Sequence, residues 1–545
     1  PDGTLWFSQG LHAFSRVETP WGPERLEKAG LWRFHPRTQR LDAFFNGGKA
    51  GHNCWGVAFD DYGQVFHKSG DRPDGYYSVP GMVRLRNPDE YHPIGSLFSS
   101  NPKTTVLDFI GTKGMPEALQ GCVVIGGYFG NVVELHRLQD DGAGFKSEQL
   151  PKLLKSSSKA FRPVDVSVGP DGAIYVADWF NPVIGHYQAS YADPQRDRSH
   201  GRIWRISAKG LGRVKQPDLA KMSFAQLLDT LRSPERWTRR QAKRLLFDGP
   251  EAEVLKAADL WVSGLDPKAG DYEKLLLEVI GVYESHETAR PELLAKLLAA
   301  RDWRVRAYGA RVVGAWAGAL ADPLSILRER IHDESPRVRL EALLACSYVG
   351  TADAAAVAVQ ITDSPRDKFI DYAMAQVLRS LETEWKPALA AQTLRFANPA
   401  HAEILRTLAG KPPEKVHPGK LVYETLCLNC HQPDGKGLAG IYPPLAGSEW
   451  VTGDKNALIR IVLHGLSGPI SVGGIPYGVA APIPIPMPPM GLDDQQAADV
   501  LSYVRETFGN GAPAVTPTEV GAVRAATSSR TTFWTAAELA DSPRK

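Results

Sequence analysis

Two cysteines and a histidine stand in the order Cys427-Leu428-Asn429-Cys430-His431. That is the C-x-x-C-H pattern of covalent haem attachment. Two thiols one helical turn apart can add to the two vinyl groups of a haem as thioethers, and the adjacent imidazole then lies below the iron as proximal ligand. A redox dithiol and half of a zinc site are the competing chemistries. Zinc needs further soft ligands at short spacing, and there is no second C-x-x-C in the sequence. The other face of the iron needs a ligand from further along the chain. Met487-Pro488-Pro489-Met490-Gly491 offers two thioethers in a chain with only six methionines, and His464 offers an imidazole. A thioether ligand raises the potential of the iron, which suits electron transfer.

Local elements must hold these groups. Leu421-Val422-Tyr423-Glu424-Thr425-Leu426 can form the helix that presents the cysteines. Asp493 and Gln496 have the spacing of a helix start, and Ala497, Val500, Leu501, Val504 and Phe508 give that helix an apolar face able to close against the first. Met490, if it is not a ligand, is a core methionine beside the site. Lys411 to Lys415 reads as a linker, and the tail 511–545, rich in Ala, Thr, Ser and Pro, reads equally as an ordered strap or as disorder.

This stretch resembles small class I cytochromes c of the kind attached to bacterial dehydrogenases. The resemblance rests on Cys427 to His431, Asp434-Gly435-Lys436-Gly437, Tyr442-Pro443-Pro444-Leu445-Ala446-Gly447, Leu463-His464-Gly465 and Met487 to Met490, and it covers residues 420–508. It implies an all-α fold with one covalent haem c, His431 and Met487 as the iron ligands, and the Pro-Pro-Leu segment packed by His431. Arg460 reads as a partner of a haem propionate or as a solvated charge. The lead-in Ala480 to Pro486 is longer and richer in proline than the family's.

The remainder of the 545 residues has two other textures. Residues 1 to about 210 alternate short apolar runs with turn signals, and an Asp-Gly turn before β-forming residues recurs at Pro1-Asp2-Gly3, Asp61-Tyr62-Gly63 and Asp171-Gly172. This predicts about four blades of a β-propeller, incomplete at its N-terminal side, with a β-sandwich as the alternative. Residues 215–410 have helical periodicity. A start recurs at Ser233-Pro234 with Arg239 and Arg240, at Asp302 to Arg306, at Asp333 to Arg339 and at Asp363 to Pro365, and Arg339 follows Arg306 by 33 residues. This predicts HEAT-like repeats in a solenoid, with a helical bundle as the alternative. Ser-Pro at these starts reads as a cap followed by a first-turn proline, and the Asp/Arg pairs read as links between repeats. A net charge of +2 gives no general pull toward nucleic acid, no apolar run reaches transmembrane length, and five cysteines make no disulfide scaffold. Pro1 in place of Met leads us to expect a processed or incomplete start.

Two polar clusters stand out in the strand-rich part. Gly51-His52-Asn53-Cys54-Trp55-Gly56 with Asp71 and Arg72 contains a candidate general base, His52, and a candidate anion partner, Arg72. Asp178 to His186 and Asp193 to Arg205 suit either a ligand or an ion-pair network between blades. The order of the three parts resembles a family of exported bacterial proteins described as membrane-bound dehydrogenases with a haem-binding domain. Their propeller is similar to that of soluble pyrroloquinoline-quinone (PQQ) sugar dehydrogenases. Asn53 to Phe59, Asp171 to Pro182, Asp193 to Arg198 and His200-Gly201-Arg202-Ile203 carry that resemblance. It implies a periplasm-facing, PQQ-dependent sugar or alcohol dehydrogenase that passes electrons to the haem and on to a redox partner. The alternative is a non-enzymatic electron-transfer scaffold within a larger redox complex.

Overall fold

The computed structural model describes residues 2–10, 13–44, 54–69, 74–84, 96–99, 104–184, 193–410, 417–477 and 486–540. The chain divides into two compact units, Pro1–Lys411 and Pro412–Lys545.

In the first unit, the short alternating runs form four antiparallel sheets in chain order. Each pairs sequential strands, as turn-punctuated β-formers should. They begin with the strands Leu5–Gln9, Cys54–Phe59, Thr104–Phe109 and Pro163–Val168, and these first strands pack side by side. The hairpin Ser15–Thr19 with Gly22–Leu26 is inserted in the first sheet. The expected propeller is thus seen as four neighbouring sheets, and a closed ring is not shown. One apolar core runs from these sheets into the helices, joining Phe66, Phe109 and Ile125 to Leu276, Val312, Leu343 and Ile370.

The helical part has the expected repeats, including Trp303–Ala315, Pro336–Val349 and Lys368–Ser380. Of the three Ser-Pro pairs, only Ser335-Pro336 sits at cap and first turn. Asp367 takes the cap of the third helix, its carboxylate accepting from the Phe369 and Ile370 amides, and Glu235 stands at the cap position before Arg236–Asp248. A two-amide carboxylate cap offers more than a serine hydroxyl three residues earlier, so the helix starts later than expected.

The arginine pairs divide their work in a regular way. The second of each folds back on its own repeat. Arg239 donates to the carbonyls of Ser233 and Pro234, Arg306 to those of Ala300 and Arg301, and Arg339 to those of Asp333 and Glu334. Arg239 and Arg306 also reach the next repeat, at Glu278 (2.7 Å) and Asp333 (3.0 Å). The first of each pair faces the sheets. Arg236 lies over Phe109 (5.3 Å), Arg304 over Tyr62 (4.4 Å) and Arg337 over Phe145 (3.9 Å). The expected links between repeats are therefore half of the pattern, and cation–π seats on the sheets are the other half.

In the second unit, Pro418–Val422, a π-helical turn over Tyr423–Cys427 and Leu428–His431 run on as one helical stretch. It crosses Asp494–Glu506, whose Asp493/Gln496 capping box forms as expected. Gly419 sits at the crossing, where any side chain would collide with the Asp499 carbonyl. The fold is not purely α. The sequence Val472-Gly473-Gly474-Ile475 closes a small hairpin, Ile470–Val472 with Ile475–Tyr477, because both glycines take the positive φ that such a turn requires. Part of the tail is ordered as Pro517–Ala526 and Ala536–Ala540.

Candidate haem site

The helix-crossing core of the second unit leaves an apolar cleft, open on one side, whose enclosed volume is about 80 Å³. Its walls include Cys427, His431, Pro443, Leu445, Trp450, Ile461, Leu466, Met487 and Met490. The π-turn widens the helix just before the cysteine pair, a distortion often found at functional positions. His431 closes the same stretch, buried at 9 % exposure. Its Nδ1 lies 3.0 Å from the Pro443 carbonyl, which can only accept, so Nδ1 carries the proton and Nε2 keeps its lone pair. Burial lowers the pKa of the ring, outweighing the raising effect of that carbonyl, and keeps the imidazole neutral and ready to ligate.

The two thiols are free and unlinked. Burial pushes Cys427 up to about 12, with Cys430 adding to it. Cys430 is also raised by burial and is half-buried near Tyr442. Cys427 is a wall residue of the cleft, and Cys430 is not among those walls. Opposing ligand candidates separate clearly. Met487 and Met490 both line the cleft, whereas the Nε2 of His464 is 2.7 Å from Thr527 Oγ1, and His464 does not line it. Met487 is held on both sides of its peptide, its N–H and C=O pairing with Leu466 at 2.9 Å. Met490 donates from its N–H to the Val462 carbonyl.

These residues fit a haem in three respects: an apolar cleft, one neutral imidazole with a free nitrogen, and a thioether among the wall residues. A fourth is a pair of buried donors, Arg460 Nε and Trp534 Nε1, that have no hydrogen-bond partner. Buried N–H groups demand acceptors, and a group bearing carboxylates supplies them. Arg460 is half-buried, with its Nε enclosed and its guanidinium over Trp534 at 5.4 Å. Trp534 is the residue that the sequence reading missed, since it comes from the tail whose order composition did not reveal.

In the first unit, the polar cluster after the third repeat is spent on itself. Asp178 accepts from the Arg162 and Phe180 amides and from Trp204 Nε1. The Arg162 guanidinium donates to the carbonyls of Asn181 and Tyr128, and Asp197 holds His200 at 2.8 Å. His52, Arg72, Gly51, Asn53, Asp71, Gly185, His186, the linker 411–415 and most of the lead-in to Met487 lie outside the described residues. Among the described residues no group of three or more His, Cys, Asp or Glu could hold a metal ion, and no helix is long and apolar enough to cross a membrane.

Residues 416–508 match the cytochrome c family, so this cleft belongs to a cytochrome c domain, which supports haem electron transfer by this part of the chain. Residues 290–379 match HEAT repeats, and 103–210 match a family described only as a domain of unknown function (DUF7133). Among curated proteins, the chain is similar to the gluconate 2-dehydrogenase cytochrome c subunit of Pantoea cypripedii, 40% identical over 114 residues, 19% of this chain and 24% of that one. It is 37% identical over 111 residues to the cytochrome c subunit of alcohol dehydrogenase (quinone) of Gluconacetobacter polyoxogenes, 20% of this chain and 22% of that one. The chain thus spans about a quarter of the length of these relatives. A solved soluble aldose sugar dehydrogenase of Escherichia coli is 15% identical, with a TM-score of 0.23 over 32% of this chain and 58% of that one, a likeness too slight to carry an argument.

Proposed function

We propose that the chain is the haem c component of an exported sugar or alcohol dehydrogenase system, with Cys427 and Cys430 as thioether anchors and His431 and Met487 as iron ligands. The carrying observation is the His431 ring, fixed by Pro443 with one nitrogen unspent in an apolar cleft shared with Met487. A haem bound there supplies a one-electron site. The chain's own residues orient it. Pro443 sets the imidazole tautomer, Leu466 holds the Met487 peptide, the apolar walls exclude water, and Arg460 and Trp534 offer donors to the propionates. Electrons arrive from the substrate-oxidising step and leave to a redox partner protein in the periplasm. Likeness to cytochrome subunits of dehydrogenases supports this place in the chain of transfer.

The sheets to about residue 210 read as a propeller-type module and residues 215–410 as the solenoid that positions it, with 411–510 as the cytochrome domain and 511–545 as its tail. In the first reading this module binds PQQ and oxidises the sugar or alcohol, with His52 and Arg72 at its site. The second reading makes it a docking scaffold, and the self-satisfied network around Asp178 favours that second reading. Absorption spectroscopy and cofactor analysis of the purified holoprotein, followed by reduction with a panel of sugars and alcohols, decide between them. Quinone present and a chain lacking 411–545 that still reduces an artificial dye support the enzyme. A haem that no substrate reduces, with no quinone found, leaves the scaffold. If acid–acetone extraction releases all the haem, the covalent site itself is lost as a reading.

A further inference from the structure

The cytochrome c match ends at residue 508, yet the chain continues on the same unit. Leu466 bridges two segments at once, Met487 in antiparallel fashion and Trp534 in parallel. Beyond the Leu466–Met487 pair, Ser467 N–H donates to the Trp534 carbonyl (2.8 Å) and Trp534 N–H to the Gly465 carbonyl (3.1 Å). Gly465, at φ +81°, is where the two segments meet. A side chain there would collide with the Met487 carbonyl and come within 2.6 Å of the Phe533 ring.

Trp534 packs against the core of Ala457, Ile461, Leu466 and Leu539, the same core that Trp450, Ile470 and Met487 of the cleft wall pack against. The Arg530 guanidinium lies over the ring at 3.5 Å. Arg530 is itself fixed, donating to the carbonyls of Thr532 and Phe533 and pairing with Glu538 at 3.0 Å. The preceding helix is anchored separately, by Arg524 on Asp494 (2.7 Å) and by Thr527 on His464.

We propose that residues 527–540 are a strap that positions the distal ligand, with Trp534 as its anchor. This rests on the reading of Met487 as an iron ligand. The peptide of Met487 hangs on Leu466 alone among its backbone partners, so whatever fixes the strand at 465–467 fixes the methionine. The strap braces that strand from its opposite edge and backs the cleft wall with an indole. Trp534 is a positioning residue. It acts through Leu466 and the packed wall, and its loss leaves the covalent haem and the His431 bond in place while freeing Met487 to leave.

The test uses the full-length holoprotein and its Trp534→Ala and Trp534→Phe variants. Three readings are taken: the far-red absorption band of ferric His/Met haem, the pH at which that band is lost, and the reduction potential. Trp534→Ala should raise the ligand-detached population about tenfold, which moves the midpoint down by about one pH unit, and should lower the potential. Trp534→Phe keeps the packed ring and loses only the Nε1 donor, so its pH midpoint should stay within a few tenths of a unit of the parent's, and a midpoint as low as that of Trp534→Ala overturns the packing role. An unchanged midpoint and potential in Trp534→Ala overturn the strap while leaving the ligand reading intact. A parent protein without the band overturns the ligand reading, and the strap with it. If Trp534→Ala yields no holoprotein, amide hydrogen exchange on the parent takes its place. The amides of Leu466, Ser467, Met487 and Trp534 should share one opening free energy, and an independently opening Trp534 overturns the proposal.

Discussion

The two units spend their polar side chains differently. In the sheet-and-solenoid unit, guanidinium and carboxylate groups pair mostly with one another, and the buried atoms left without a hydrogen bond, such as Arg40 Nη2, Arg337 Nε and Arg339 Nε, belong to side chains already held by other contacts. Arg33 and Arg40 converge on Asp42, Arg306 on Asp333, and Arg162 with Asp178 and Trp204 closes a network of its own. Around the cleft of the cytochrome unit, three groups among the described residues are left with capacity to spare together: one nitrogen of His431, Arg460 Nε and Trp534 Nε1. Density of charge marks where the fold is braced. Unspent valence beside an apolar cleft marks where a ligand belongs, because burying such a group without a partner costs about 1–3 kcal/mol.

Substitutions can break this contrast, and the largest effect should come from attachment. Cys427→Ala with Cys430→Ala should abolish acid–acetone-stable haem almost entirely, while thermal unfolding of the first unit stays unchanged. A variant that retains stable haem would remove the cysteine pair from the site. Next comes the distal ligand: Met487→Ala should erase the far-red band and lower the potential, and Met490→Ala should preserve both. The reverse pattern would exchange the two methionines.

On the braced side, Arg306→Ala leaves Asp333, 5% exposed, with Arg330 at 3.3 Å as its remaining guanidinium. Because that partner stays, the loss should be about 1–3 kcal/mol, that of a buried charged hydrogen bond, read as a lower denaturant midpoint of the first unit with the haem spectrum unmoved. The smallest effect is a pH dependence. Burial alone would raise Asp42, but Arg33, His35 and Arg40 outweigh it and hold its carboxyl well below the usual range. A depressed folded pKa adds stability above the unfolded value and loses it as pH falls from there, so that part of the acid sensitivity begins below about pH 4. Asp42→Asn should flatten that loss and reduce stability at neutral pH. An unchanged acid limb would show that Asp42 is not among the groups that set it.

The sequence was most legible where chemistry is local. The C-x-x-C-H run, the Asp493/Gln496 capping box and the thioether run at 487–490 each lie within a few residues; the box forms, and Cys427, His431, Met487 and Met490 line one cleft. The link from Arg306 to Asp333 was legible because the repeat period brings one start onto the next, whereas the carbonyl contacts of the second arginines were not legible. Legibility failed where a partner comes from another part of the chain. Phe109, Tyr62 and Phe145 sit in strands and turns far from the arginines they seat, and no periodicity joins them. The tail was undecidable because its hold on the cleft is one bridge, between Leu466 and Trp534, rather than a repeating face. Ser335-Pro336 held its place, but Ser364-Pro365 misled because Asp367 captured the cap.

The outward-facing arginines carry an evolutionary consequence. Solenoids commonly lengthen or shorten by whole repeats, since each repeat needs only its neighbours. Here Arg236, Arg304 and Arg337 sit at a pitch matched to aromatic residues on a separate set of sheets. Duplicating or deleting one repeat between them would move every later arginine off its seat together. This stretch of the solenoid is therefore closed to growth by duplication, and descendants of this architecture should vary in repeat number only beyond it.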